Sequence, residues 1–180
     1  FGNVLGSSGS VIPLFKNQIL SGGPVTITDH EMTRFIMNLD EAVNLIINSS
    51  DIALGGEVFI TKMPSIRIID LAKAMIEIFD DKGIIQKSAI EILEIGAKPG
   101  EKIMEELMNE EEQRRAIELK NFYSIIPAFR GIYKNIQYEY GSESKKCDKV
   151  FSSNNQNPLS IDEIKNLLHY LFEKDINNKN

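Results

Sequence analysis

The residues of this chain best suited to chemistry are cations that could bind an anion. Arg34 precedes the apolar run Phe35–Leu39, and the planar fork of a guanidinium suits bidentate contact with a phosphate. Lys98 and Glu101 flank Pro99-Gly100, a rigid turn placed before the start of a predicted helix, where backbone N–H groups favour anions. Ordinary alternatives remain: Arg34 as a surface or helix-capping residue, and Glu101 as an acidic residue matched to a helix dipole.

Other reactive residue types occur in patterns that do not favour catalysis or metal binding. The single cysteine, Cys147, cannot form an internal disulfide, and we interpret it as a bystander thiol. His30 and His169 lie in no metal-ligand spacing. The acidic run within Glu101–Leu119 leads into two arginines, which is typical of a solvated helix face.

The overall charge and hydropathy narrow the classes of partner. A net charge of −6 argues against a nucleic-acid surface. The aromatic stretch Tyr133–Tyr140 contains one cation, Lys134, whereas a platform that stacks single-stranded bases needs a cationic groove. No apolar run approaches the roughly 20 residues of a membrane span, no signal peptide opens the chain, and one unpaired cysteine fits a reducing cytosol. We therefore expect a cytoplasmic protein without a nucleic-acid partner or a membrane span.

Predicted strands alternate with predicted helices, which is typical of an α/β fold. The predicted strands are Phe1–Leu5, Val25–Thr28, Glu57–Thr61, Ser88–Ile95 and Phe122–Ile126. The predicted helices are Val11–Leu20 capped by Ser10, Leu39–Ile47, Ser65–Phe79, Glu101–Leu119, and Ser160–Phe172 with a capping box at its start. We divide the chain into an α/β portion, residues 1–126, and a C-terminal extension, residues 127–180. A strand at the first residues predicts that the chain begins inside a larger fold.

Four segments carry a resemblance to a known family. They are FGNVLGSSGSVIPLF (Phe1–Phe15), TITDHEMTRFIMNLDEAV (Thr26–Val43), GGEVFITKMPSIRIIDLAKAM (Gly55–Met75) and GAKPGEKIMEEL (Gly96–Leu107). In this order and spacing they resemble the C-terminal half of the polysaccharide biosynthesis protein CapD family, and Phe151–Leu168 resembles a small extension found in one branch. The family includes UDP-N-acetylglucosamine 4,6-dehydratases, some of which also epimerise the sugar at C5, and proteins named UDP-glucose 4-epimerases.

The resemblance implies a two-part enzyme with the extended short-chain dehydrogenase fold. A Rossmann half, mostly absent from this chain, would bind NAD(P) and carry the catalytic residues, and the C-terminal part would bind the nucleotide sugar. Gly6-Ser7-Ser8-Gly9 lacks the spacing of a dinucleotide-binding turn. We therefore expect no catalytic, cofactor-binding or metal-binding residue here, and no activity from this chain alone.

The resemblance assigns substrate binding to a set of residues spread over the first 101 positions: Asn3, Ser10, Val11, Pro13, Arg34, Lys98 and Glu101. It places the family's phosphate-binding arginine at Arg34. Lys98 stands where the family usually has arginine, and lysine keeps the charge without the fork.

The remaining roles implied by the resemblance concern the nucleoside and the sugar. Glu101 would accept hydrogen bonds from the ribose hydroxyls, and Ser10, Val11 and Pro13 belong to the segment that packs on uracil. Asn3 lies near a point where similar enzymes reach the sugar or phosphate. A strand amide for Asn3 and plain helix packing for Val11 and Pro13 remain alternatives.

Two classes of function follow from the resemblance. The first is the nucleotide-sugar-binding part of a UDP-N-acetylglucosamine 4,6-dehydratase, with or without C5 epimerisation, in surface or capsular polysaccharide biosynthesis. The parent enzyme would oxidise C4 with bound NAD(P), eliminate water across C5–C6 and return the hydride. The alternatives are part of a 4-epimerase acting on UDP-glucose or UDP-N-acetylglucosamine, and a non-catalytic sugar-nucleotide-binding or assembly module.

The same resemblance carries two expectations about association. The full-length protein is expected to form a homo-oligomer. Removal of the Rossmann half is expected to expose apolar faces that it covers, including Phe1–Leu5 and the Val11–Leu14 side of the first helix.

Overall fold

A computed structural model describes residues 2–7, 9–142 and 144–177 of this chain, which has a mixed α/β architecture. The helices are α1 (Val11–Leu20), α2 (Leu39–Ile52), α3 (Ile68–Asp81), α4 (Glu110–Arg114) and α5 (Ile161–Asn177). The strands are β1 (Asn3–Val4), β2 (Val25–Ile27), β3 (Thr33–Met37), β4 (Val58–Thr61), β5 (Ser65–Arg67), β6 (Ile92–Glu94), β7 (Ala116–Glu118), β8 (Phe122–Ile125) and β9 (Lys145–Lys146). The predicted α/β class is confirmed; Phe1, the start of the predicted first strand, lies outside the described residues.

The strands form three separate sheets. β3 pairs in parallel with β1 and antiparallel with β5, and β2 pairs in parallel with β6. The largest sheet is antiparallel and has the order β4-β8-β7-β9. The two parallel pairs are the ones that border the candidate site, because the carboxyl ends of β1, β2 and β6 open into one cavity.

Helix α3 is the centre of the main hydrophobic core. Its apolar residues recur every three or four positions, as predicted, and nine of its fourteen residues are buried. α1 contributes Phe15 and Ile19 to this core, and α5 contributes Ile164 and Leu168. The final helix therefore packs on the α/β portion of the molecule.

A second core lies under the large sheet. Phe35 of β3 stacks on Phe151, with ring centroids 4.6 Å apart, and Met108, Ile125 and Cys147 are buried in the same cluster. Phe151 and Cys147 belong to the predicted C-terminal extension, residues 127–180. This part of the chain therefore supplies apolar side chains to the second core.

The predicted helix Glu101–Leu119 is wrong over most of its length. α4 is its helical part, and β7 occupies three of the remaining positions. Residues 101–108 are held by distant backbone partners: the N–H of Thr33 donates to the carbonyl of Ile103 at 2.9 Å, and the N–H of Leu107 donates to the carbonyl of Phe151 at 3.0 Å. These long-range hydrogen bonds override a local helix propensity that is worth only fractions of a kcal/mol per residue.

The other predicted elements are right in kind but differ at several ends. β5 replaces the first turn of the predicted helix Ser65–Phe79, and β6 is shorter than the predicted strand Ser88–Ile95. Ser10 occupies the N-cap position of α1, but its side chain makes no capping hydrogen bond. β3, β7 and β9 were not predicted. β7 and β9 have only three and two residues, and such short strands leave a weak local pattern.

One apolar helix face is left uncovered by the described residues. In α2, Ala42 is the buried residue, and four large apolar side chains are exposed: Leu39, Val43, Ile46 and Ile47. Among the faces predicted to be exposed, Leu14 of α1 is half exposed, whereas Leu5 is buried.

Candidate functional site

A cavity of about 410 Å³ opens where three strands end. Leu5 follows β1, Thr28 follows β2 and Ile95 follows β6, and all three residues line the cavity. The first turn of α1 and Arg34 of β3 belong to its wall, so we name it the Arg34 cavity. Ligands of open α/β sheets bind at the carboxyl ends of parallel strands, and pockets of roughly 300–1,000 Å³ are typical of small-ligand sites.

The structure brings most of the predicted site residues to this one cavity. The lining includes Asn3, Ser10, Val11, Arg34, Lys98 and Glu101. Pro13 lies in the first turn of α1 but is not part of the lining. The two regions predicted to bind an anion, at Arg34 and at the Pro99-Gly100 turn, therefore share a single hollow.

The guanidinium of Arg34 is fixed by backbone carbonyls. Its Nη1 donates to the carbonyls of Thr33 at 2.7 Å and Ile103 at 3.2 Å, and its Nη2 donates to the carbonyl of Lys102 at 2.7 Å. The Nε atom lies 3.8 Å from a carboxylate oxygen of Glu105. In this structure the fork therefore holds residues 102–105 in place, and its positive charge remains part of the cavity wall.

Glu105, which the sequence did not single out, lies outside the lining but contacts residues of the cavity wall. The Asn3 side-chain amide donates to both Glu105 carboxylate oxygens at 2.9 Å, and the N–H of Phe35 donates to one of them at 3.0 Å. One carboxylate thus ties β1, β3 and the segment 101–108 together. Its partners lie 102 and 70 positions away, so the sequence shows only one more glutamate in an acidic run.

The turn between Lys98 and Glu101 is closed by its own hydrogen bonds. The N–H of Glu101 donates to the Lys98 carbonyl at 3.0 Å, and the N–H of Lys98 donates to the Glu101 carboxylate at 3.2 Å. Gly100 has φ of +84°, a conformation that favours glycine. No helix begins here, so the expected helix N-terminus and its free N–H groups are a wrong prediction.

The charges of the cavity differ in how far they are already paired. The Glu101 carboxylate also accepts a hydrogen bond from the Thr28 hydroxyl at 3.4 Å. Lys98 is exposed, and its ammonium has no ion-pair partner among residues 2–7, 9–142 and 144–177. Of the charged groups in this wall, Lys98 is therefore the one most available to a ligand.

The start of α1 gives the cavity a second polar wall. Ser10 and Val11 line the cavity, and the Ser10 hydroxyl oxygen is buried with no hydrogen-bond partner in the part of the chain that is described. A buried hydroxyl without a partner costs free energy. A ligand that accepts or donates a hydrogen bond here relieves that cost.

The described residues do not form a dinucleotide-binding site for a cofactor of the NAD(P) type. A glycine turn connects β1 to α1, and β2 follows α1. β1 pairs with β3, however, and β2 pairs with β6. A Rossmann unit instead places the two strands that flank its helix in the same sheet.

Alternative chemistries find little support in the geometry. Within the described residues, no group of three or more His, Cys, Asp or Glu side chains could hold a metal ion, and no helix is long and apolar enough to cross a membrane. His30 pairs with Glu94 at 3.2 Å. Burial raises the pKa of the Cys147 thiol, which disfavours the nucleophilic thiolate.

Comparisons with known proteins agree with the resemblance predicted from the sequence. The family model for polysaccharide biosynthesis proteins matches residues 1–127. Capsular polysaccharide biosynthesis protein CapD of Staphylococcus aureus is 52% identical over 62% of this chain and 18% of that protein. A UDP-glucose 4-epimerase of Rickettsia massiliae is 38% identical over 93% of this chain and 47% of its own length.

A solved structure supports the fold. The X-ray structure of Pen from Bacillus thuringiensis matches with a TM-score of 0.77 and 42% identity, over 94% of this chain and 48% of that one. The resemblance and the partial Rossmann-like α/β fold are thereby confirmed. Where the match covers nearly all of this chain, the chain spans about half the length of the relative.

Proposed function

The chain belongs to the polysaccharide biosynthesis protein family, and we propose that its Arg34 cavity binds the diphosphate and nucleoside of a UDP-sugar. One observation carries the proposal. Two cations, Arg34 and Lys98, and one carboxylate, Glu101, line a single cavity at the carboxyl ends of parallel strands. Among the charged side chains that line the cavity, two are cations and one is a carboxylate, in a chain whose net charge is −6, and local charge is what attracts an anionic group.

The two cations have different roles in this proposal. Lys98 contacts the diphosphate directly, because its ammonium is exposed and its donors are not used by any described carboxylate. Arg34 acts mainly through position and charge: it holds the carbonyls of Lys102 and Ile103 and keeps the wall positive. Glu105 supports Arg34 from behind the wall at 3.8 Å.

The neutral and acidic groups suit the nucleoside. Each Glu101 carboxylate oxygen already accepts one hydrogen bond, from the N–H of Lys98 or the hydroxyl of Thr28, and each retains capacity to accept a ribose hydroxyl. Ser10 supplies the unpartnered hydroxyl. Val11 and the apolar lining beside it suit the face of a planar base.

We place the chemistry of the complete protein outside this chain. The relatives are about twice as long, and no dinucleotide unit is present in the described residues. NAD(P), held by the other half, would supply hydride exchange with the sugar. The contribution of this chain is to bind the nucleotide sugar, to orient its sugar ring and to exclude water from one side.

The reaction proposed for the complete protein is 4,6-dehydration of UDP-N-acetylglucosamine, with or without C5 epimerisation, in polysaccharide biosynthesis. A second candidate is 4-epimerisation, which the name of the Rickettsia massiliae relative favours. We further propose a cytoplasmic homo-oligomer in which residues 1–126 form the nucleotide-sugar-binding portion and residues 127–180 the extension.

The test uses the protein extended to the length of its relatives and incubated with UDP-N-acetylglucosamine or UDP-glucose. Dehydration yields a product lighter by one water, whereas epimerisation yields the C4 epimer at unchanged mass. Mass spectrometry and NMR distinguish the two. Lys98→Ala is expected to raise KM by about tenfold, as for the loss of one charged hydrogen bond, and the exposed Lys149→Ala is the matched control. Absence of turnover with both sugars contradicts the proposed reaction.

A further inference from the structure

Among the side chains whose exposure is described, the most exposed large apolar ones lie at the tip of one loop, far from the Arg34 cavity in sequence. Phe129 is 92% exposed and Ile132 is 87% exposed. The tip also carries Arg130 and Lys134, and no acidic residue occurs in residues 127–138. We name residues 129–134 the apolar tip.

The base of this loop is firmly packed on the turn Gly55-Gly56. The Tyr138 hydroxyl donates to the carbonyl of Gly55 at 2.7 Å. The Tyr133 ring lies so close to Gly56 that an added Cβ there would approach a ring atom to 2.6 Å. An anchored base combined with two exposed apolar residues is typical of a preorganised interaction element.

A hollow of complementary character lies beside the same anchor. Its volume is about 450 Å³, and Ile52, Leu54 and Phe122 form much of its apolar lining. Asp51 and Glu139 also line it, together with the single cation Lys120. Its charged lining is therefore acidic on balance, whereas the apolar tip carries only cations. We name this the acidic hollow.

We propose that the apolar tip of one chain docks into the acidic hollow of a second copy of the same chain. The tip offers apolar surface with positive flanks, and the hollow offers an apolar lining with two carboxylates, so the two surfaces are complementary in apolar character and in charge. Leu54 and Glu139 of the hollow are chain neighbours of Gly55 and Tyr138 of the anchor. Because tip and hollow flank one anchor, a two-fold pairing seats both tips in both hollows at once.

An anionic lipid surface is the alternative binding partner for an apolar tip that carries cations. The carboxylates of Asp51 and Glu139 lie beside the anchor of the tip and would repel such a surface. The same carboxylates attract the tip of a second chain. The charge distribution therefore favours a second copy.

Reversal of charge on each side of the contact provides the test. Sedimentation velocity of the 180-residue chain over a range of concentrations measures the dimer dissociation constant. Arg130→Glu with Lys134→Glu reverses the tip, and Asp51→Lys with Glu139→Lys reverses the hollow. Each pair of changes is expected to weaken the dimer by about tenfold or more, and Phe129→Ser is expected to do the same by removing an anchor. Lys149→Glu is the control, and circular dichroism checks folding.

Mixing the two charge-reversed chains distinguishes the proposed contact from any other mode of association. A one-to-one mixture of the tip-reversed and hollow-reversed chains, and a chain with all four changes, are both expected to recover the dimer. A monomeric wild type overturns the proposal, as does association that Phe129→Ser and both reversals leave unchanged. Reversals that weaken the dimer without recovery in the mixture also overturn it. Binding of a monomeric chain to phosphatidylserine vesicles, abolished by Phe129→Ser, would assign the tip to a membrane surface instead.

Discussion

Helices α2 and α3 have the same length and a similar apolar repeat, yet they have opposite environments. Each has fourteen residues. α3 has nine buried residues and packs against α1, α5 and β2, whereas Ala42 is the buried residue of α2. The apolar face of α3 finds its partners inside this chain, and the face of α2 does not.

The difference shows what a hydrophobic repeat specifies. The repeat determines which face of a helix favours burial. It does not determine which other segment, in this chain or in another, covers that face. Contiguous exposed apolar surface on a soluble protein usually marks an interaction site. This chain spans about half the length of its relatives, so we expect the face of α2 to be covered in a protein extended to that length.

The largest expected effect comes from making the same substitution on both helices. Ile78 of α3 is 1% exposed and Ile46 of α2 is 57% exposed. Ile78→Ala is expected to lower the free energy of unfolding by about 2–5 kcal/mol because it leaves a cavity in a packed core. Ile46→Ala is expected to change it by less than about 0.5 kcal/mol. Urea denaturation followed by circular dichroism measures both; equal costs would contradict the contrast between the helices.

The substitutions Ile78→Ala and Ile46→Ala can also be compared in the protein extended to the length of its relatives. If the added residues cover α2, Ile46→Ala becomes destabilising in that protein, by about 1–3 kcal/mol for a newly buried side chain. A cost that stays near zero in the longer protein would show that α2 remains uncovered.

A smaller effect on the free energy of unfolding is expected at Glu105, whose carboxylate has its hydrogen-bond partners within this chain. Glu105→Ala removes the acceptor of the part-buried Phe35 N–H, and leaving such a donor unpaired costs about 1–3 kcal/mol. The exposed Asn3 amide also loses Glu105 but keeps its hydrogen bond to the Phe35 carbonyl. Glu106→Ala, at an exposed neighbouring carboxylate, is the matched control with an expected cost below about 0.5 kcal/mol. Thermal and urea unfolding compare the two, and equal losses would remove Glu105 from the described role.

The smallest effect concerns the ion pairs of Glu77 in α3, with Lys87 and with Lys165 of α5. Hydrogen bonds from Lys87 and Lys165, opposed by partial burial, hold the pKa of Glu77 below its ordinary 4.5. The folded-state pKa lies below the unfolded value, so this contribution is complete above about pH 4.5 and is lost as the pH falls through the lowered pKa. Glu77→Gln is expected to cost about 0.2–1 kcal/mol near pH 7, since the pair is partly exposed and screened.

The measurement is urea unfolding of wild type and Glu77→Gln between neutral and acidic pH. The difference should shrink as the pH falls below about 4.5, while Glu91→Gln, at an exposed carboxylate, stays near wild type. If the difference in free energy of unfolding grew as the pH fell, folding would have to raise the Glu77 pKa, which contradicts the lowered pKa described here.

Local signals in the sequence predicted those parts of the fold whose contacts are local. The capping box of α5 is an example: the N–H of Ser160 donates to the Glu163 carboxylate at 2.8 Å, and the N–H of Glu163 donates to the Ser160 hydroxyl at 3.3 Å. Both partners lie within one turn. The apolar face of α3 was predicted for the same reason. The segment 101–108 was not, because its backbone bonds run to Thr33 and Phe151.

The resemblance indicated residues that line one cavity, but the sequence did not show the contacts among them. Family resemblance indicated Arg34 and Lys98, and both line one cavity. The sequence could not show that the Arg34 fork donates to carbonyls 68 and 69 positions away, or that Glu105 joins two strands. Such contacts depend on how distant segments meet, and no local spacing encodes them.

Calorimetric titration of UDP into the protein extended to the length of its relatives tests the nucleotide site most directly. The wild type and the control Lys149→Ala are expected to bind UDP equally, and Lys98→Ala is expected to bind it about tenfold more weakly. Equal affinity of wild type and Lys98→Ala, or no detectable binding of UDP to the wild type, would contradict the assignment of the Arg34 cavity to a nucleoside diphosphate.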